Sequence, residues 1–160
     1  MAARAREIAL ALTAMPSVTG TADEAAFAPK LAASLAHFDV VKLQPVSGNE
    51  HARANVFALK RGDGRRTIVL TGHFDVVPVD DYGPLKHLAF EAEKLLPEII
   101  ARLRLTGENP AALADFESGD YLPGRGLLDM KAGLAAGIAA MEAYGGDANV
   151  LFVAVCDEED

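Results

Sequence analysis

Residues 149–156 form an apolar run with no polar alternation: Asn149, Val150, Leu151, Phe152, Val153, Ala154, Val155, Cys156. A run of this kind reads as a strand buried on both faces, which places it inside a parallel or mixed sheet. Four carboxylates follow at once, on Asp157, Glu158, Glu159 and Asp160. Neighbouring carboxylates repel, so one or more of them calls for a proton or a cation; a solvated acidic loop is the simpler alternative. A second apolar run, Ile68-Val69-Leu70, leads through Thr71-Gly72 to His73, Phe74 and Asp75. In extended chain, residues two apart point to the same side. One ring nitrogen of His73 can then face a metal ion while Asp75 takes the proton on the other. A His-x-Asp triplet is also common in an ordinary polar loop. Both strands nevertheless deliver imidazole or carboxylate at their C-terminal ends, where open α/β sheets place their sites.

A third segment carries chemistry: Gly124-Arg125-Gly126-Leu127-Leu128-Asp129-Met130-Lys131. Residues 130–144 are rich in Ala, Leu, Ile and Met and read as a helix, with Asp129 as its N-cap. A capping carboxylate still has oxygen lone pairs for a cation, and Gly124 and Gly126 allow close backbone approach. Elsewhere, residues 2–14 have helical spacing of Ile8 and Leu12, ended by Pro16. Thr21 or Asp23 is placed to cap a second helix running to His37 with Pro29 inside it. Residues 40–43 and 55–60 read as strands. The second leads through Arg61-Gly62-Asp63-Gly64, a hairpin-type turn, which predicts antiparallel pairing with the strand before His73. Between Asp75 and Asp129 lies a helical insert, about residues 83–118, with a helix starting at Pro97 and a shorter one over 111–116. It reads either as a cover over a cleft or as a surface elaboration carrying a solvated acidic face of Asp115, Glu117 and Asp120.

At 160 residues the chain fits one domain with a real core. A net charge of −8 argues against nucleic acid or an anionic membrane as partner. A single cysteine, Cys156, excludes an internal disulfide and fits a reducing compartment. No apolar run reaches the length of a membrane span. Arg4, Arg6 and Glu7 interrupt residues 1–14, so no signal-peptide core is present and cytoplasm is the expected setting.

The motifs around His73 and Asp75, around Asp129, and at Asp157-Glu158-Glu159 resemble, in order and spacing, those of the co-catalytic zinc amidohydrolases. That family includes carboxypeptidase G, acetylornithine deacetylase, succinyl-diaminopimelate desuccinylase and aminoacylase. The segment from Asp80 to His87 and the insert after it are similar to the bacterial arginine-utilisation branch. The resemblance implies a three-layer α/β/α zinc-peptidase-like catalytic domain with a mixed sheet, incomplete at the C-terminus. It implies His73, Asp129 and Glu159 as metal ligands, with Asp129 bridging two metal ions and its peptide to Met130 cis. Asp75 would orient His73, and Glu158 would be the general base. Two Zn²⁺ ions are implied per complete site, with Co²⁺ or Mn²⁺ as alternatives. The implied reaction is hydrolysis of an amide bond in a small N-acyl amino acid or peptide, with a role in arginine catabolism. The family also calls for a later acidic ligand, a distal His and a lid domain that supports homodimers. None follows Glu159 here except Asp160, and His37, His51 and His87 lie outside the motifs. The chain is therefore expected to be the front part of such an enzyme, or a truncated, non-catalytic remnant.

Overall fold

The computed structural model describes residues 1–48 and 50–159. Asp160, the last of the expected acidic run, lies outside them, as does Asn49 in the loop that carries His51. Four strands, β1 (Val40–Pro45), β2 (Ala54–Lys60), β3 (Thr67–His73) and β4 (Asn149–Val155), form one sheet in the order β1-β2-β4-β3. β1 and β2 pair antiparallel, as do β2 and β4, whereas β3 and β4 are parallel. The mixed α/β architecture is the expected one.

The pairing predicted for β2 and β3 is not formed, because β4 lies between them. β4 is apolar on both faces, and a central position gives both of its backbone edges partners as well. Residues 61–66 consequently cross the entry to β4 instead of making a tight hairpin. The Gly62 N–H donates to Asn149 Oδ1 at 3.1 Å and the Gly64 N–H to the Asp147 carbonyl at 2.7 Å. A Cβ on Gly62 would stand 2.2 Å from that carbonyl oxygen, so only glycine fits there.

Helices α2 (Ala22–Ser34) and α5 (Ala132–Ala143) pack on one face of the sheet, and α1 (Ala2–Thr13) packs against α5. Phe27 and Leu31 of α2 and Leu134 and Ile138 of α5 bury against Val56, Phe152 and Ala154. Gly137 of α5 lies against the Phe152 ring, where a Cβ would make ordinary contact at 3.5 Å. On the opposite face Phe57, Leu59 and Leu151 remain half-buried. α2 follows Thr21 as expected but ends at Ser34, short of His37, and accommodates Pro29.

The insert holds a 3₁₀ segment (Asp80–Leu88), α3 (Ala92–Thr106) and α4 (Pro110–Ser118). α3 begins upstream of the expected Pro97. Ala92 and Leu95 are buried, and such tertiary packing outweighs the proline signal for a helix start. Gly107, at φ 67°, ends it in the left-handed conformation. Asn109 then caps α4, accepting the Ala112 N–H at 3.1 Å. Asp115, Glu117 and Asp120 are exposed, and Glu117 pairs with Arg104. Among the described residues no helix is long and apolar enough to cross a membrane.

Two contacts fasten the end of α5. The Lys60 ammonium donates to the carbonyls of Met141, Glu142 and Tyr144 at 3.0, 3.0 and 2.7 Å, satisfying acceptors that a helix terminus leaves open. Arg4 on α1 makes two 2.9 Å bonds to the Glu142 carboxylate, and the Arg4 hydrogen bond is the main cause holding Glu142 below its ordinary pKa.

Gly62→Ala is expected to cost roughly 1–3 kcal/mol of stability through overpacking against backbone, measured by chemical denaturation. Glu142→Gln is expected to lower stability at neutral pH only. The folded-state pKa of Glu142 is depressed, so its contribution is present above the unfolded carboxylate pKa and fades as pH falls through the folded value. Denaturation curves of the two proteins should therefore converge in acid.

Candidate metal centre

Parallel pairing of β3 and β4 sets His73 opposite Val155. The chain leaves both strands at the same sheet edge, and the acidic turn 157–159 comes to lie beside the imidazole. The glycine-rich segment 124–131 closes the site from a third direction. Two glycines make room for it. A Cβ on Gly72 would lie 2.4 Å from Met130 Cε, and one on Gly126, at φ 73°, would lie 2.3 Å from Val76 Cγ1.

The segment Leu127–Lys131 departs from helical geometry at Asp129 and Met130, whose peptide bond is cis. α5 proper starts at Ala132. Asp129 is therefore not the N-cap that local pattern predicts. Its carboxylate turns to His73 instead, with Oδ1 3.0 Å from Nε2. Lys131 is buried with its ammonium donating to the Met15 carbonyl at 2.7 Å and lying 4.9 Å from the centre of the Phe27 ring. Burial pushes its pKa down to about 7. Leu128, by contrast, is 92% exposed beside Asp129.

His73 is buried, and the proton on its ring can be placed by its partners. Nδ1 lies 3.0 Å from the main-chain carbonyl of Asp75. A carbonyl only accepts, so Nδ1 carries hydrogen. In a neutral ring Nε2 then presents a lone pair, yet it faces Asp129 Oδ1 at 3.0 Å and Glu158 Oε2 at 3.7 Å. Acceptors facing acceptors require a proton between them or a cation. Burial lowers the His73 pKa. The hydrogen bonds to Asp129 and to the Asp75 carbonyl, with the charges of Asp75 and Glu158, outweigh it and raise the value overall. Single ligand atoms of His73, Glu158 and Glu159 all lie within 4.8 Å of one another. An imidazole with two or three carboxylates is a donor set that suits a divalent transition metal.

The Asp75 carboxylate does something other than what the His-x-Asp spacing predicts. The bond to Nδ1 comes from its backbone carbonyl, while carboxylate Oδ1 stands 3.6 Å away, buried and without a hydrogen-bond partner. Oδ2 accepts three bonds: the Glu158 N–H at 2.9 Å, the Glu159 N–H at 2.9 Å and the Thr19 hydroxyl at 3.0 Å. Ser17 adds a 2.7 Å bond to the Phe74 carbonyl. The polar turn between α1 and α2 is thus stitched to the exit of β3.

Further charges lie behind the acidic turn. Glu24 is fully buried and Arg53 is 4% exposed. Arg53 pairs with Asp157 and lies 3.6 Å from Glu24. Burial pushes the Glu24 carboxyl up, against the Gly20 N–H, Arg53 and the Asp157 N–H. Sequence reading passed over Thr19, Glu24 and Arg53 because each stands alone in its own segment, with no spacing signal. Cys156 is buried, as expected, and burial raises its pKa. The other histidines lie elsewhere: His37 is 3.5 Å from Glu142, His51 is 3.6 Å from Glu50, and His87 faces the Pro84 carbonyl. Arg125 pairs with Asp81 and stacks over Tyr82.

Asp75→Asn keeps an acceptor for the turn but turns an amide N–H₂ toward the protonated Nδ1. Metal affinity is expected to fall about 10–100-fold, as for other partners of ligand histidines, which a Zn²⁺ or Co²⁺ titration would read.

No protein-family model matches the chain. It is 38% identical over 154 residues to the Bacillus subtilis protein YqjN and 33% identical over 172 residues to the B. subtilis protein RocB. These alignments take in 89% and 99% of this chain but 27% and 30% of the relatives. A succinyl-diaminopimelate desuccinylase of Sphingopyxis alaskensis is 27% identical over 96% of this chain and 34% of its own length. The chain thus spans about a third or less of the curated relatives it matches. Among solved structures, the M20 family metallo-carboxypeptidase Sso-CP2 of Sulfolobus solfataricus superposes with a TM-score of 0.58 at 19% identity, over 97% of this chain and 31% of that one. The di-peptidase Dug1p of Saccharomyces cerevisiae gives 0.61 at 16% identity, over 99% and 33%. The fold is that of the corresponding part of these peptidases.

Proposed function

We propose that the chain belongs to the M20 metallopeptidase family and forms the N-terminal part of the catalytic domain of a metal-dependent amide hydrolase. Its substrate would be a small N-acyl amino acid or a peptide with a free carboxylate. One observation carries the reading: Nε2 of His73, with Nδ1 already committed to a carbonyl, faces the carboxylates of Asp129 and Glu158. The names of the desuccinylase, the carboxypeptidase and the dipeptidase support the substrate class. A place in arginine catabolism, a cytoplasmic setting and a homodimeric full-length form extend the same reading.

His73, Asp129 and Glu159 would hold metal, with further ligands supplied by residues outside this chain. When bound, two divalent ions, zinc in the first instance, supply Lewis acidity toward water and an amide carbonyl. The residues have the remaining work. The Asp75 carbonyl keeps the proton on Nδ1 of His73, so that Nε2 is free as a donor atom. Glu158, half exposed at the mouth of the site, accepts a proton from the attacking water and returns it to the leaving amine, as general acid–base catalysis requires. Asp75 Oδ2 grips the backbone of both glutamates and leaves their carboxylates to face the cleft.

The test uses the full-length protein with a panel of N-acyl amino acids and dipeptides. Glu158→Gln is expected to lose roughly 10²–10⁴-fold in kcat with metal content retained, and Glu159→Ala to lose metal. Chelation should abolish hydrolysis and Zn²⁺ should restore it. Wild-type rates in Glu158→Gln would sink the assignment of the base. Metal uptake without hydrolysis of any such substrate would favour a non-catalytic remnant.

A further inference from the structure

The acidic turn is held in place by its main chain, and the groups that hold it reach well beyond the metal-side residues. Three successive N–H groups point inward. That of Asp157 donates to Glu24 Oε1 at 2.9 Å, and those of Glu158 and Glu159 both donate to Asp75 Oδ2 at 2.9 Å. Convergent backbone N–H groups of this kind form an anion-binding concavity, here filled by two of the protein's own buried carboxylates. Asp157 sits at φ 69°, a left-handed conformation that L-residues other than Asn and Asp rarely adopt. Its side chain is anchored by Arg53, which also faces Glu24. Glu24 Oε2 in turn accepts the Gly20 N–H at 2.8 Å, tying the start of α2 to the same cluster.

We propose that Glu24, Arg53 and Asp157 are positioning residues that build the Glu158–Glu159 turn before any cation arrives. Adjacent carboxylates would otherwise splay apart by repulsion, and a metal ion would have to bear the cost of gathering them. With the backbone clamped from behind, neither glutamate side chain is spent on holding the turn, and both lie on the His73 side of it. Arg53 supplies the compensating positive charge at the root of the turn, where it cannot compete for the glutamates. The inference rests on the reading of Glu158 and Glu159 as the metal-side pair, but its physical content is a turn preformed without metal.

Amide hydrogen exchange on metal-free full-length protein tests this, beside Co²⁺ titration and thermal melting. The N–H groups of residues 157–159 are expected to be protected in the wild type without metal. Asp157→Asn tolerates the left-handed backbone but loses the charge that Arg53 grips, and Arg53→Lys keeps charge but loses the planar fork. Each should strip protection from residues 157–159 while exchange in α5 and β4 stays unchanged, and should weaken Co²⁺ binding about 10–100-fold. A generally structural role would instead lower protection throughout. Unprotected wild-type amides at 158 and 159, or variants that leave them protected, would overturn the proposal. If Arg53→Lys fails to fold, Asp157→Asn, at a partly exposed position, decides alone. A wild-type turn that is protected but takes up no Co²⁺ would uphold the clamp and overturn the metal-hydrolase reading, so the two failures are distinguishable.

Discussion

The Asp75 carboxylate is the contact on which the geometry of the site depends. It is fully buried, and desolvating a charge is tolerable only where donors surround it. Its Oδ2 receives three such donors from two distant parts of the chain, the α1–α2 turn at Thr19 and the acidic turn at Glu158 and Glu159. Through them the ends of β3 and β4 become one rigid edge. The backbone carbonyl of the same residue sets the tautomer of His73. One residue thus fixes both the imidazole and the backbone that carries Glu158 and Glu159.

Around that contact the structure separates holding from facing. Glu24, Arg53, Asp75 and Lys131 are buried and act on backbone or on one another. Asp129, Glu158 and Glu159 bring their carboxylates beside His73 at the cleft. Most polar atoms of these buried groups find partners, with Asp75 Oδ1 an exception, whereas the carboxylates facing outward share one imidazole and gain from a cation. Glycines at 72 and 126 belong to the same economy of space, since a methyl group at Gly72 would meet the end of the Met130 side chain and one at Gly126 would meet Val76.

Much of this is legible in sequence, for physical reasons that can be named. The unalternating run in β4 predicts a sheet interior, and β4 is central, although Leu151, Val153 and Val155 on one face are only half-buried. His73, Asp129 and the Glu pair stand in short motifs whose residue types bind cations, and the structure brings them together. Local pattern misleads where a longer-range contact wins. The 61–66 loop looks like a hairpin turn, but β4 occupies the neighbouring position. Asp129 looks like a cap, but its carboxylate meets His73. Pro97 looks like a helix start, but burial of Ala92 and Leu95 extends the helix upstream.

The sequence by itself determined the alternation of helix and strand and the identity of the groups that gather where β3 and β4 end. These follow from side-chain polarity and its period along the chain. Only the tertiary structure decided the strand order, the use of Asp75 as a holder of backbone N–H groups, and the enlistment of Glu24 and Arg53 behind the acidic turn. Those outcomes depend on which buried polar groups find partners across dozens of residues, and satisfaction of that kind leaves no local trace.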